Sequence, residues 1–459
     1  MESTTIAAIA TAMSASGISI IRISGPDALQ VIDAVYKSPK GKKKISSQKS
    51  HTIHYGYIYD GEDLIDEVVV LLMKAPNSYT AEDTVEIDCH GGLVVTKRIL
   101  ETVLKNGAVI AAPGEFTKRA FLNGRIDLSK AEAVMDLIDA QNRYAADSAV
   151  HQLKGTVSEK VNAYRDEILD QLAFLESALD DPEHFELDGF GVSLEEKIEQ
   201  LLADMEQLLQ QSKNGRIVTE GIHTVILGRP NAGKSSLLNL LAGEERAIVT
   251  DIAGTTRDLL QETVRLGDIS FILTDTAGIR ESDNVVEQIG VSKAMDASRQ
   301  ADLILYVIDS SQELSALDSD MEQLIAEKNS VIILNKTDLQ GQVSIEEVQN
   351  RFPGKSVCRL SALEGTGLQQ LESMLKEMFL QGNIDFNNQI ILSNLRQQEA
   401  LSEAMKSLGL VQKSIADGMP EDFYAIDLMD AYTSLGKIIG ASVEDDLVDR
   451  IFAKFCMGK

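Results

Sequence analysis

Eight consecutive residues, Gly228-Arg229-Pro230-Asn231-Ala232-Gly233-Lys234-Ser235, carry the spacing G-x-x-x-x-G-K-[ST]. In this pattern the glycines let backbone N–H groups close around phosphate oxygens, and a helix N-terminus adds its positive dipole end. Lys234 would neutralise the β and γ oxygens of a nucleoside triphosphate, and the Ser235 hydroxyl would ligate Mg²⁺. The pattern carries this meaning only between a strand and a helix. It stands in that context, after the apolar run His223-Thr224-Val225-Ile226-Leu227 and before Ser236-Leu237-Leu238-Asn239-Leu240-Leu241.

Three later segments turn a phosphate loop into a guanine-nucleotide site. Asp275-Thr276-Ala277-Gly278 ends the run Ile269-Ser270-Phe271-Ile272-Leu273. There Asp275 can reach the Mg²⁺ shell and the Gly278 N–H can meet the γ-phosphate. Asn335-Lys336-Thr337-Asp338 follows Val331-Ile332-Ile333-Leu334. The Asp338 carboxylate can accept two hydrogen bonds, from guanine N1–H and the exocyclic amine. Adenine lacks that donor pair, so the segment selects GTP over ATP. Ser361-Ala362-Leu363, after Val357-Cys358-Arg359-Leu360, would support the guanine O6. All four in chain order predict a GTP-hydrolysing enzyme. Catalysis must differ from that of small signalling GTPases, which place a water-orienting glutamine directly after D-x-x-G. Here that residue is Ile279, which cannot hydrogen-bond a water. Glu281, Asp283 and Glu287 are the acids close behind it, and spacing does not choose among them.

These residues need a scaffold, and three textures supply it. Residues 217–383 alternate strands and helices, the pattern of a doubly wound parallel sheet. Residues 1–120 mix β-branched runs (Ile18–Ile23, Glu67–Leu72, Thr84–Ile87) with turns at Gly25-Pro26, Asn106-Gly107 and Pro113-Gly114, which reads as an α+β domain. From about 126 the texture is helical. Val157, Val161, Tyr164, Ile168, Leu172, Leu175 and Leu179 form one apolar stripe, broken at Asp180-Asp181-Pro182 and resumed by Leu194, Ile198, Leu201 and Leu202. Residues 394–459 are helical again, with Leu447, Ile451, Phe452 and Phe455 on one face. That piece is too short to bury its stripe alone, so it is expected to pair with the earlier helices and leave the nucleotide domain as an insertion. The boundaries predicted are 1–120, 121–216, 217–383 and 384–459.

The 459 residues are 44% hydrophobic and 25% charged, an ordinary soluble composition. A net charge of -28 opposes free-standing RNA or membrane binding. A nucleic-acid substrate must therefore meet a local basic patch or be held by a more basic partner. Cys89, Cys358 and Cys456 form no C-x-x-C pair, which argues against a disulfide framework or zinc site and fits a reducing cytoplasm. The apolar stretch from Ile6 to Ile21 loosely imitates a signal peptide. Glu2 stands where basic residues belong, and Thr11, Ser14, Ser16 and Ser19 interrupt the run, so a buried strand and loop are expected. No segment is long and apolar enough to span a bilayer.

Read with the chain ends, these residues resemble the MnmE (TrmE) family of tRNA modification GTPases over the whole length. The resemblance is carried by Ile21-Arg22-Ile23-Ser24-Gly25, Tyr79-Thr80-Ala81-Glu82-Asp83-Thr84-Val85-Glu86, Cys89-His90-Gly91-Gly92 and Pro113-Gly114-Glu115-Phe116-Thr117. It continues in Arg119-Ala120-Phe121-Leu122-Asn123-Gly124-Arg125, Gly254-Thr255-Thr256-Arg257-Asp258 and the tail Phe455-Cys456-Met457-Gly458-Lys459.

The resemblance implies a multidomain α/β and α-helical protein. Its parts would be an α+β folate-binding-like N-terminal domain that dimerises, a discontinuous all-helical domain, and an inserted α/β Ras-like P-loop GTPase domain. It implies a cytoplasmic homodimer that works with an MnmG-like flavoprotein, in a heterotetramer or larger complex. Together they would build a carboxymethylaminomethyl or aminomethyl group on C5 of the tRNA wobble uridine. The carbon would come from a reduced folate, 5,10-methylenetetrahydrofolate or 5-formyltetrahydrofolate. The folate-contacting positions fall on Arg22, Glu86, Arg125 and Lys459; Arg125 stands where some members have lysine, which keeps charge and changes hydrogen-bond geometry. Read without the resemblance, Arg22 and Glu86 are an ordinary strand charge pair.

For the nucleotide, the resemblance adds Thr250, Asp251, Ile252, Ala253, Gly254, Thr255 and Thr256 to the GTP-binding residues, with Thr256 the second Mg²⁺ ligand. It implies K⁺ as the missing positive charge, held by the Asn231 side chain, the Thr250 and Ile252 carbonyls and Thr255. The water-orienting acid falls on Glu287, alongside Lys234 and Asp275 as catalytic groups. Cys456 has two readings, apolar filler beside a helix end or a participant in the chemistry beside Lys459. Two other functions compete. A ribosome-assembly GTPase commonly adds a basic module with a G-x-x-G loop, and no two glycines here have that spacing. A dimeric scaffold would use nucleotide only as a switch.

Overall fold

The structure is a computed structural model of the chain. It describes residues 4–41, 43–140, 142–181, 189–243, 261–266, 269–274, 301–314, 319–380, 390–441, 448, 451–453, 455 and 458. The chain divides into two compact units, Met1–Met135 with Gln152–Glu195 and Glu403–Lys459, and Asp136–His151 with Glu196–Ser402.

In the first unit a seven-stranded sheet has the order β3-β4-β5-β6-β2-β1-β7. The strands are β1 (Ile6–Ile9), β2 (Ile18–Ser24), β3 (Tyr36–Lys37), β4 (Thr52–Asp60), β5 (Asp63–Met73), β6 (Thr84–His90) and β7 (Val109–Ile110). Alternation decides what each face does. Ile21 and Ile23 of β2, Val70 and Leu72 of β5, and Val85 and Ile87 of β6 enter one buried core with Val31, Ile32, Ile99 and Val103 from the helices Ala28–Val35 and Leu93–Lys105. The intervening residues, Arg22 and Glu86 among them, are thereby turned to the opposite face. The stretch suspected of imitating a leader is β1, a turn and β2; Ile6, Ala7 and Ala8 are at most 1% exposed.

The same unit contains the long helix Thr156–Asp180, which packs against Asp422–Ile439. Val157, Val161, Tyr164, Ile168, Leu172 and Leu175 are buried, as their spacing predicts. Leu179 is not: it lies in the last turn before Asp180 and is 45% exposed, while Ala178 takes the buried position. Phe452 and Phe455 pack with Leu128 and Ala131, and the Phe452 and Phe455 rings are 4.9 Å apart. Gly114 (φ 69) makes room, since a Cβ there would lie 2.5 Å from the Phe452 carbonyl oxygen. Leu447 lies outside the described residues.

The second unit holds a six-stranded sheet of order β13-β12-β11-β8-β10-β9. Its strands are β8 (Ile222–Gly228), β9 (Gln261–Leu266), β10 (Ile269–Thr274), β11 (Leu303–Asp309), β12 (Ser330–Asn335) and β13 (Ser356–Arg359). All pairs are parallel except β10 with β9. A parallel sheet covered on both faces should read as continuous apolar runs. Leu303–Val307 and Val331–Leu334 do, every residue being buried. The two faces feed separate cores, one around Leu237, Leu305 and Leu371 and one around Tyr306, Ile325 and Phe352. No helix among the described residues is long and apolar enough to cross a membrane.

Candidate functional site

β8 ends at Gly228, and the helix Lys234–Ala242 begins after five intervening residues, at the loop's far side. Two glycines in that loop are required by what touches them. A Cβ on Gly228 (φ 150) would lie 2.4 Å from the Val307 carbonyl oxygen, and one on Gly233 (φ 96) would lie 2.1 Å from Asn335 Nδ2. Asn231 also holds a left-handed backbone, φ 64, which asparagine tolerates better than most residues. Lys234 Nζ donates to the carbonyls of Gly228 and Arg229, both at 2.9 Å, so the ammonium is drawn across the loop. Ser235 and Ser236 are exposed in the first helical turn, whose N–H groups have no intrahelical acceptor. This is a cradle for phosphate, with a hydroxyl placed for a hard divalent cation.

The base-reading segments meet the loop through one buried amide. Asn335, 1% exposed at the end of β12, donates from Nδ2 to the Ala232 carbonyl (2.9 Å) and accepts at Oδ1 from the Ala362 N–H (3.0 Å). The two partners fix which end of the amide is oxygen. Phosphate loop, N-K-T-D turn and S-A-L turn are thereby joined in one hydrogen-bonded unit. Asp338 is exposed, and its Oδ1 accepts from the Ser361 hydroxyl at 2.6 Å, which orients the carboxylate. Ala362 is half-buried and Leu363 exposed beside them. Lys336 (φ 63) places its ammonium 2.7 Å from Asp309 Oδ2 at the end of β11. Burial alone would raise the Asp309 pKa, but the Lys336 and Ser311 hydrogen bonds outweigh it and hold the carboxyl below its ordinary value. Sequence reasoning missed Asp309 because its partnership is across strands and carries no motif.

Thr250, Asp251, Ile252, Ala253, Gly254, Thr255, Thr256, Asp275, Thr276, Ala277, Gly278, Ile279, Glu281, Asp283, Glu287, Cys456 and Lys459 lie outside the described residues. Cys89 and Cys358 are buried free thiols. Burial pushes each up to about 11, so neither is a nucleophile near neutral pH.

In the first unit the strand register puts Arg22 opposite Glu86. Arg22 Nε lies 2.7 Å from Glu86 Oε1, with the side chains 14% and 16% exposed. The Arg22 guanidinium is 5.2 Å from the Tyr79 ring centre and 5.5 Å from that of Phe116. Arg125 is 4.7 Å from the same Tyr79 ring. Arg22 Nη1 also donates to the Gly458 carbonyl at 3.4 Å. Gly458 (φ 85) lies against β1, where a Cβ would meet the Ile9 oxygen at 2.3 Å. Arg22 and Arg125, 103 positions apart, thus share one aromatic ring, with Glu86 paired to Arg22 and Gly458 beside it. Asp88, two residues on from Glu86 along the same strand face, has an Oδ1 without a partner. Burial, then the Glu86 charge, raises its pKa. Tyr79 and Phe116 were not singled out from the sequence, although both lie in segments that carry the family resemblance.

A family model for the N-terminus of the GTP-binding protein TrmE matches residues 5–125, and one for the MnmE helical domain matches residues 128–456. The chain is 53% identical over 459 residues to the tRNA modification GTPase MnmE of Lachnoclostridium phytofermentans, covering 100% of both chains. It is 46% identical to that of Listeria welshimeri, again covering 100% of both, and 44% identical to that of Bacillus subtilis, covering 99% of this chain and 100% of the other. A crystal structure of Aquifex aeolicus Era aligns with 41% of this chain and 67% of that one, at 28% identity and a TM-score of 0.29, too low to carry an argument. On the two family matches and the full-length identities, together with the nucleotide loop described above, the chain belongs to the MnmE (TrmE) family of tRNA modification GTPases and hydrolyses GTP.

Proposed function

We propose that this chain is the GTP-hydrolysing subunit of a system that adds a carboxymethylaminomethyl or aminomethyl group to C5 of the tRNA wobble uridine, together with an MnmG-like flavoprotein. The observation that carries the reading is the grouping of Arg22, Glu86, Tyr79 and Arg125 in one compact unit, while the phosphate loop stands in the other. A reduced folate, when bound, supplies a one-carbon unit. The residues present suit it: an aromatic ring to stack on, a carboxylate that can accept from the pterin's donor edge, and guanidiniums for the anionic glutamate. Arg22, 2.7 Å away, orients the Glu86 carboxylate, and the buried surroundings of Asp88 offer a second carboxyl that is more readily protonated.

On the nucleotide side Lys234 and the loop N–H groups would bind phosphate, Ser235 with Thr256 would hold Mg²⁺, and Asp275 would stand in its outer shell. K⁺ would take oxygen donors from Asn231, Thr250, Ile252 and Thr255, and Glu287 would orient water in place of the glutamine that Ile279 replaces. The left-handed backbone gives Asn231 a conformational reason to be asparagine besides a ligating one. In this reading the homodimer contact falls on the sheet face away from the core, where Ile18, Ile53 and Tyr55 are exposed. The domain scheme of 1–120, 121–216, 217–383 and 384–459, with the G domain as an insertion, belongs to the same proposal.

Mass spectrometry of tRNA nucleosides tests it. Deleting the gene should remove the C5-substituted wobble uridines. The wild-type chain should restore them, and Lys234→Ala or Glu86→Ala should not. Unchanged nucleosides in the deletion strain would refute the proposal.

A further inference from the structure

A cavity of about 340 Å³ opens in the first unit, with Phe121, Arg125, Ile126, Lys130, Ile439 and Gly440 in its walls. Its charges are unbalanced. The Arg125 side chain has no hydrogen bond or ion pair among the described residues, only the Tyr79 ring 4.7 Å away. Lys130 Nζ stands 3.7 Å from Asp127 Oδ2, beyond hydrogen-bond length. Asp127, the carboxylate in the lining, is already engaged. Its Oδ1 accepts from Ser129 Oγ (2.6 Å) and the Lys130 N–H (3.0 Å), and its Oδ2 accepts from Ser158 Oγ (2.6 Å). The Lys130 side chain runs close over Gly155 (φ 99), where an added Cβ would lie 2.9 Å from its Cε and 3.0 Å from its Nζ. Two cations with spare donors therefore share one cavity in a chain of net charge -28, where most basic groups would find acidic neighbours. The walls from Phe121, Ile126 and Ile439 are apolar.

A ligand that fits carries two or more carboxylates on short aliphatic stems, and Arg125 is common to this cavity and the Tyr79 ring. We propose that this cavity binds the glutamyl tail of the folate, with Arg125 shared between the two sites and Lys130 reading the added carboxylates, so that oligoglutamyl folates are the preferred substrate class. The inference rests on the folate reading above.

Calorimetric titration of the full-length protein with mono- and triglutamyl 5-formyltetrahydrofolate tests it. The triglutamate should bind about tenfold more tightly, the scale of one charge-assisted hydrogen bond at a half-exposed site. Lys130→Gln should erase that difference while leaving monoglutamate binding unchanged, and Lys130→Arg should keep it. Equal affinities of the two folates for wild-type protein would overturn the inference and leave the folate reading standing. Failure of either folate to bind would overturn both. A Lys130→Gln protein that keeps the tail preference but binds tRNA more weakly would overturn it as well, by giving the cation to a phosphate.

Discussion

Asn335 is the side chain through which the nucleotide site is expected to hold together. Truncation to alanine strands two backbone groups, the Ala232 carbonyl and the Ala362 N–H, which it holds at 2.9 and 3.0 Å. Each buried group left without a partner costs about 1–3 kcal/mol. Both sit on loops that can relax toward water, so the lower end applies. About 2 kcal/mol lost from the ordered, binding-competent loops corresponds to a rise of about 30-fold in the GDP dissociation constant. Titration with a fluorescent GDP analogue measures this without hydrolysis, and circular dichroism checks that the sheet is intact. Asn335→Asp separates the two contacts, since it keeps an acceptor for Ala362 and sets an anionic oxygen against the Ala232 carbonyl. It should be at least as weak. Gly233→Ala supplies the cross-check, because its new Cβ would stand 2.1 Å from Asn335 Nδ2. In the Asn335→Ala background that collision is gone, leaving only the strain of φ 96, about 1–2 kcal/mol. The double variant should be less impaired than the sum of the two. An Asn335→Ala protein whose GDP affinity stays within about twofold of wild type, or strictly additive effects, would refute the reasoning.

Two further predictions concern base choice and turnover. Asp338→Asn should weaken GTP and favour xanthine nucleotide, because one acceptor becomes a donor that the xanthine C2 carbonyl can accept from; equal affinities of wild type and variant for both nucleotides would remove Asp338 from the guanine site. GTP hydrolysis should depend on K⁺ over Na⁺, and Glu287→Ala should slow turnover by at least about a hundredfold with GTP binding nearly intact. Normal turnover of that variant would move the water-orienting role to Glu281 or Asp283.

The GTPase was legible in the sequence because nucleotide recognition uses short contiguous segments. Backbone amides and a few side chains at fixed offsets do the binding, so G-x-x-x-x-G-K-S, N-K-T-D and S-A-L announce themselves wherever the sheet places them. Burial followed for local reasons too: helical periodicity sets the stripe from Val157 to Leu175, and the continuous apolar runs of β11 and β12 suit a sheet covered on both faces. Leu179 marks where that logic stops, since spacing cannot say where a partner helix ends. What only the tertiary structure decided are contacts between segments with no common pattern. Asn335 was read as a nucleotide-site residue, but its role as the joint between two loops depends on a register that brings Ala232 and Ala362 to either end of one amide. Asp309 joins Lys336 only because β11 and β12 are neighbours. Arg22 and Glu86 are 64 positions apart and meet through antiparallel pairing. Arg125 meets the Tyr79 ring, 46 positions away, and shares a cavity wall with Lys130 only in the folded chain. Such sites depend on long-range geometry, and a linear sequence records the residues without recording the distances between them.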